Sequence, residues 1–137
     1  KAGISDLESL MPVAIAYERE EVLTPIHRFN PIVCRASQER ALKRQTVYAV
    51  WHGKNLVARA QTNAIGISCE QMGGVYVVPE LRGKGLGRAV VAALVSDIAA
   101  RGKACCLFVK QANSSAGNLY ASMGFRTECE YRVDYLG

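Results

Sequence analysis

The stretch VYVVPELRGKGLGRAVVAALV, residues 75–95, decides how the chain is read. β-Branched residues run into Pro79. Three glycines then alternate with basic side chains, and an apolar run follows. Glycines let a backbone turn sharply and come close to a ligand. The free N–H groups and positive end of a helix start favour an anion at such a turn, and Arg82, Lys84 and Arg88 add charge around it. Two nucleotide signatures fail. A P-loop needs GxxxxGK[ST], but Lys84 follows Gly83 and is itself followed by Gly85. A dinucleotide turn needs GxGxxG with an acidic residue ~20 positions on. Its third glycine would fall on Arg88 or Val90, and Asp97 comes too early. What remains is Arg82-x-x-Gly85-x-Gly87. That is either an anion cradle or a plain strand-to-helix turn with solvated basic residues.

Outward from the turn, Leu86, Val90, Leu94 and Ile98 repeat every four residues, joined by Val91 and Val95, and Gly102 ends the helix. A strand is expected over residues 68–78. KACCLFVK reads as a short strand buried on both faces. Residues 113–123 predict a short helix stopped by Gly124, and FRTECEYRVDYL predicts a last strand. Upstream, TVYAVWH and NLVARAQTNAIG flank Gly53-Lys54 as a hairpin. Asn30-Pro31 predicts the cap and first residue of a helix ending near Arg44. Asp6 is expected to cap a first helix running to about Val22, with Leu7, Leu10, Met11 and Ala14 on one face and Pro12 bending it. The order α-α-β-β-β-α-β-α-β predicts one α/β domain with a mixed sheet over residues 1–137.

Composition sets bounds on function. With 50% hydrophobic and 21% charged residues, the 137-residue chain is globular. No apolar run reaches the ~20 residues of a membrane span. The net charge of +5 comes from scattered Lys and Arg, which argues against a nucleic-acid patch. Five cysteines form no CxxC pair, so thiols in a reducing, cytoplasmic setting are expected rather than disulfides or zinc. His27 and His52 lack ligand spacing, and no metal site is expected. Lys1 is not an initiator Met, so a processed or excised chain is expected.

The turn does not stand alone. VYVVPELRGKGLG followed by NSSAGNLYASMGF resembles the GNAT superfamily of acyl-CoA-dependent N-acyltransferases. The first matches that superfamily's R/Q-x-x-G-x-G/A pyrophosphate loop. The second matches its N-x-x-A-x-x-L-Y-x-x-x-G-F element at Asn113, Ala116, Leu119, Tyr120, Gly124 and Phe125. GGVYVVPELRGKG is most similar to the glycine-N-acyltransferase-like branch, where the domain is often the C-terminal half of a longer chain. The first strand of the fold would then be cut short at KAG.

The resemblance implies a mostly antiparallel sheet flanked by helices, with a splayed pair of parallel strands. It implies transfer of an acetyl or short acyl group from acetyl-CoA to a primary amine by direct attack. The backbone of Gly83, Lys84, Gly85, Leu86, Gly87 and Arg88, beside Arg82, would hold the pyrophosphate. Val75, Tyr76 and Val77 would offer backbone groups to the thioester and the pantetheine arm, lying there as an added strand. Asn113 would contact the donor, and Tyr120 would protonate the leaving thiolate. Glu70 is the expected base, with Gln71 in its place if the register slips by one, and water as a further route. A bulge at Gly73-Gly74 would restore Glu70 to the cleft. Glu18, Glu20 and Glu21 read as an acidic lip or as a solvated helix face. Cys105 and Cys106, with no histidine nearby, are set aside as nucleophiles. A second reading is an acyl-CoA-binding regulatory domain without catalysis, within a longer chain or a homodimer. A third, binding of nucleic acid, is the weakest.

Overall fold

The computed structural model describes residues 1–130. The chain divides into two compact units, Lys1–Cys106 and Leu107–Gly137. The first holds α1 (Leu7–Tyr17), α2 (Pro31–Arg44), β1 (Val47–His52), β2 (Asn55–Ile65), β3 (Cys69–Val77), α3 (Leu86–Ala100) and nearly all of β4 (Ala104–Leu107). The strands lie in the order β1-β2-β3-β4. The first three are antiparallel, and β4 runs parallel to β3 across the α3 crossover.

Local sequence explains most boundaries. Gly53, at φ 63°, makes the turn between His52 and Asn55 and leaves Lys54 at negative φ. The Asn30 side chain accepts from the amides of Ile32 (3.0 Å) and Val33 (3.2 Å), and Pro31 opens α2 as expected. Gly102, at φ 72°, closes α3. The first helix differs from expectation. Ile4–Asp6 is a 3-10 turn, and the Asp6 carboxylate turns back to accept from the Gly3 amide (2.9 Å) instead of capping α1. Pro12 lies inside α1, and a π-helical turn, Glu18–Val22, carries the segment on to Val22.

The two faces of the sheet are separately packed. Val47 is buried with Leu7, Leu10, Val13 and Leu42 of α1 and α2. Its neighbour Tyr48 points the other way, donating to Asp97 of α3 at 3.0 Å. α3 buries Val90, Val91, Leu94 and Ile98 on that second face, the stripe its period predicts. Each such side chain contributes about 1.5–3 kcal/mol when withdrawn from water.

β3 changes sides along its length. From Gly73 to Tyr76 it advances three residues while β2 advances two, Gln61 to Arg59. The extra residue is a bulge at Gly74, whose φ of 60° suits glycine. Upstream, Glu70 reaches Arg101 at the end of α3. Downstream, Tyr76 joins the α1 core.

β4 is shorter than KACCLFVK suggested, and it is not buried on both faces. Ala104 and Cys106 are exposed, as are Phe108 and Val109 beyond it. In the second unit α4 spans Ser114–Ser122 and stops at Gly124 (φ 94°), with Tyr120 and Phe125 edge to face at 5.8 Å. Residues 125–130 form no strand, and the rest of the expected last strand lies outside the described residues. Among the described residues, no helix is long and apolar enough to cross a membrane.

Candidate functional site

The glycine turn has the geometry an anion needs. Gly83 (φ 76°) and Gly85 (φ 84°) take left-handed conformations, and a Cβ on either would meet nothing within 4 Å. The backbone is therefore open to a ligand on that side. Gly85 stands at the cap of a 15-residue helix, has no side chain to cap it with, and is followed by a first turn that holds no acidic residue. The first amides of α3 have no intrahelical partner, and the positive helix end adds to their pull. Gly83, Lys84, Gly85 and Arg88 are exposed, while Leu86 and Gly87 are half-buried. These residues fit an anion.

Val75, Tyr76 and Val77 precede this turn, separated from it by a 3-10 turn at Pro79–Leu81. β2 flanks them on one side, with Tyr76 opposite Arg59 and Val77 opposite Ala58. Among the described strands, the neighbour on the other side is β4. It starts with the Ala104 amide on the Ser68 carbonyl (2.9 Å) and has four residues, too few to reach Val75. The strand edge at Val75–Val77 thus continues past its partner. A cavity of about 570 Å³ lies on the α1 side, walled by Pro12, Val13, Ala16, Leu56, Tyr76 and Val78.

Arg82 links the turn to the acidic segment at residues 18–21. Its Nε donates to the Val77 carbonyl (2.9 Å), and its Nη2 donates to both Glu20 oxygens (3.0 and 3.2 Å). The guanidinium lies 5.2 Å from the Tyr76 ring centroid, and the Tyr76 hydroxyl donates to Glu20 at 2.8 Å. The Tyr76 bond, with Arg82 behind it, holds the Glu20 carboxyl below its usual range. Of the three acids Glu18, Glu20 and Glu21, Glu20 is thus bound to the turn. Spacing alone could not show this, because the partners are 62 residues apart.

Glu70, the expected base, is buried beside two cations. Its residue exposure is 0%. Arg101 donates to it through Nε (3.0 Å) and Nη2 (2.7 Å), and the Lys103 ammonium lies 3.4 Å away. The Arg101 hydrogen bonds hold its carboxyl below the ordinary carboxylate range. The Gly73-Gly74 bulge exists, and upstream of it Glu70 faces Arg101 and Lys103. Gln71, its register alternative, is half-buried. Burial pushes the Cys105 thiol up to about 11, which suits its exclusion as a nucleophile.

The remaining expected residues belong to the second unit. Asn113 caps α4, its Oδ1 accepting from the Ala116 amide at 3.1 Å. Tyr120 is 8% exposed on the same helix. The sequence reading missed Arg59 and Tyr17. Arg59 is 1% exposed, and its guanidinium lies 5.0 Å from the Tyr17 ring centroid. In NLVARAQTNAI it reads as one polar residue in an alternating strand.

A mixed sheet whose third strand bulges and then runs into a glycine turn opening a helix is the fold of the acyl-CoA N-acyltransferases, the GNAT superfamily. The family model described as FR47-like protein matches residues 48–133, and the chain belongs to that family. A mycothiol acetyltransferase from Thermobispora bispora is 47% identical over 58 residues, 39% of this chain. The aligned part is 20% of that relative's length, so the match covers about a fifth of it. Among solved structures, a probable acetyltransferase superposes with a TM-score of 0.82 at 18% identity, covering 99% of this chain and 94% of the other. A predicted acetyltransferase from Clostridium acetobutylicum, solved with acetyl-CoA, gives 0.77 at 16% identity, over 97% and 92%.

Proposed function

We propose that the protein moves an acetyl or other short acyl group from acetyl-CoA to a primary amine, by direct attack in a ternary complex. The observation that carries this is the left-handed Gly83 and Gly85 turn at the start of α3, one short 3-10 turn after a strand edge that outruns its neighbour. The names of the relatives support the same reading. The amides of Gly83, Lys84, Gly85, Leu86, Gly87 and Arg88 would hold the diphosphate. The edge of Val75, Tyr76 and Val77 would carry the pantetheine arm, with Asn113 as a further contact. An amide there, aimed at the thioester oxygen, would stabilise the charge that develops on it, an effect of ~3 kcal/mol for one such donor.

In the reaction the amine nitrogen forms a bond to the carbonyl carbon and the π pair moves to oxygen. Collapse breaks the C–S bond, and the thiolate leaves with the electron pair. Tyr120 is the proposed donor of its proton. The ammonium proton must be lost first. With Glu70 paired to Arg101 and Lys103, we assign that step to water in place of direct transfer to Glu70. The free thiols fit a reducing, cytoplasmic setting.

Calorimetry with acetyl-CoA, followed by thiol release across an amine panel, tests the proposal. Gly85→Glu should weaken acetyl-CoA binding at least ~100-fold, since it adds a like charge and a side chain at positive φ. No acetyl-CoA affinity in the unaltered protein would refute the function. The commitment of Glu70 favours one second reading, a domain that binds acyl-CoA without catalysis. Normal binding with no thiol release from any amine would select it.

A further inference from the structure

Arg59 is a buried cation with no direct ion pair among the described residues. It is 1% exposed, and the Glu18 carboxylate acts on it only from beyond ion-pair distance. Nη1 donates to the neutral amide of Gln38 (2.5 Å), and Nε is buried with no hydrogen-bond partner. The Tyr17 ring lies 5.0 Å from the guanidinium, and the Tyr17 hydroxyl meets the Gly74 backbone. Nη2 stands 3.5 Å from where a Gly74 Cβ would be. A charge with no direct ion pair is therefore packed against the bulge, one residue from Val75. Burial drives its pKa down to about 10, so it stays charged at neutral pH.

Isolated buried charges are costly, and a methionine of similar volume would remove that cost. Here the charge is kept beside the one backbone irregularity that borders the proposed thioester position. Buried fixed charge acts strongly because water does not screen it.

We propose that Arg59 is a positioning residue for acyl transfer, its charge biasing the Gly74–Val77 segment toward negative charge on the thioester oxygen. This rests on the acetyl-CoA reading above. The oxygen gains charge when the amine attacks and returns it when the C–S bond breaks, so the field lowers the barrier without consuming a reactant.

The test uses the whole chain with acetyl-CoA labelled with 13C at the carbonyl. Infrared spectra of the bound thioester and steady-state rates are compared for the unaltered protein, Arg59→Met and Gln38→Glu. Arg59→Met deletes the charge. Gln38→Glu keeps Arg59 and its packing but supplies a direct ion-pair partner. Both should lower kcat about 10-fold or more and move the carbonyl band to higher wavenumber, with little change in acetyl-CoA Kd. A structural role predicts the opposite for Gln38→Glu, since pairing the charge should preserve the fold and the rate. An unchanged band or rate in Gln38→Glu overturns the role of Arg59 even if Arg59→Met fails to fold. No acetyl-CoA binding by the unaltered protein would instead overturn the underlying function, and this role with it.

Discussion

Glu70 and Arg59 lie equally deep on adjacent strands, at 0% and 1% exposure, yet their surroundings are opposite. On the α3 face, Glu70 is met by Arg101 and Lys103. On the α1 face, Arg59 meets an amide, a phenol ring and a glycine bulge. A buried charge that is paired behaves as structure. Its loss strands its partners, while the intact pair does little else. A buried charge left unpaired weakens the fold and persists for another reason. The contrast moves attention away from the carboxylate that the sequence singled out and toward an arginine it did not.

Substitutions can break or sharpen this contrast. The largest effect on the fold is expected for Glu70→Gln, which leaves Arg101 and Lys103 facing a neutral amide. Breaking a buried pair costs about 3–5 kcal/mol, and the half-exposed flank of Arg101 reduces this to about 2–4. Urea denaturation would measure it. A wild-type midpoint would show that the pair is not holding α3 to β3. The same carboxylate predicts an acid limb. Its folded pKa lies below its unfolded value, so its contribution is present above about 4.5 and is lost as pH falls through the lower folded value. Stability against pH should flatten in that range in Glu70→Gln. Arg59→Met is expected to leave stability within about 1 kcal/mol of the original, or to raise it. A loss as large as that of Glu70→Gln would erase the contrast. Smallest of all, Glu20→Gln touches a half-exposed pair with Arg82 and should cost at most about 0.5 kcal/mol in melting experiments.

Much of the scaffold was legible because its causes are local. Asn30-Pro31, Gly53-Lys54 and the four-residue period of α3 each act within a turn or two of chain, and each stands as read. The glycine turn was legible for the same reason. Asp6 misled because a short acidic side chain serves a preceding amide as well as a following one. The apolar run around Cys105 and Cys106 misled because hydrophobicity says what can be buried, and neighbours decide what is. The charged residues were the least legible. Arg101 is 31 residues from Glu70, and Gln38 is 21 from Arg59, so no spacing rule joins them.

The bulge at Gly74 also gives β3 something like a reading frame. Upstream residues are in phase with the α3 layer, and downstream residues with the α1 layer. Removing one residue between Gly73 and Val75 would barely shorten the strand, yet it would exchange inside for outside along one half. Glu70 would swing from its cations, or Tyr76 from its core. Single insertions and deletions should therefore be least tolerated at these few positions, and the exposed turn at Gly53-Lys54 should accept them readily.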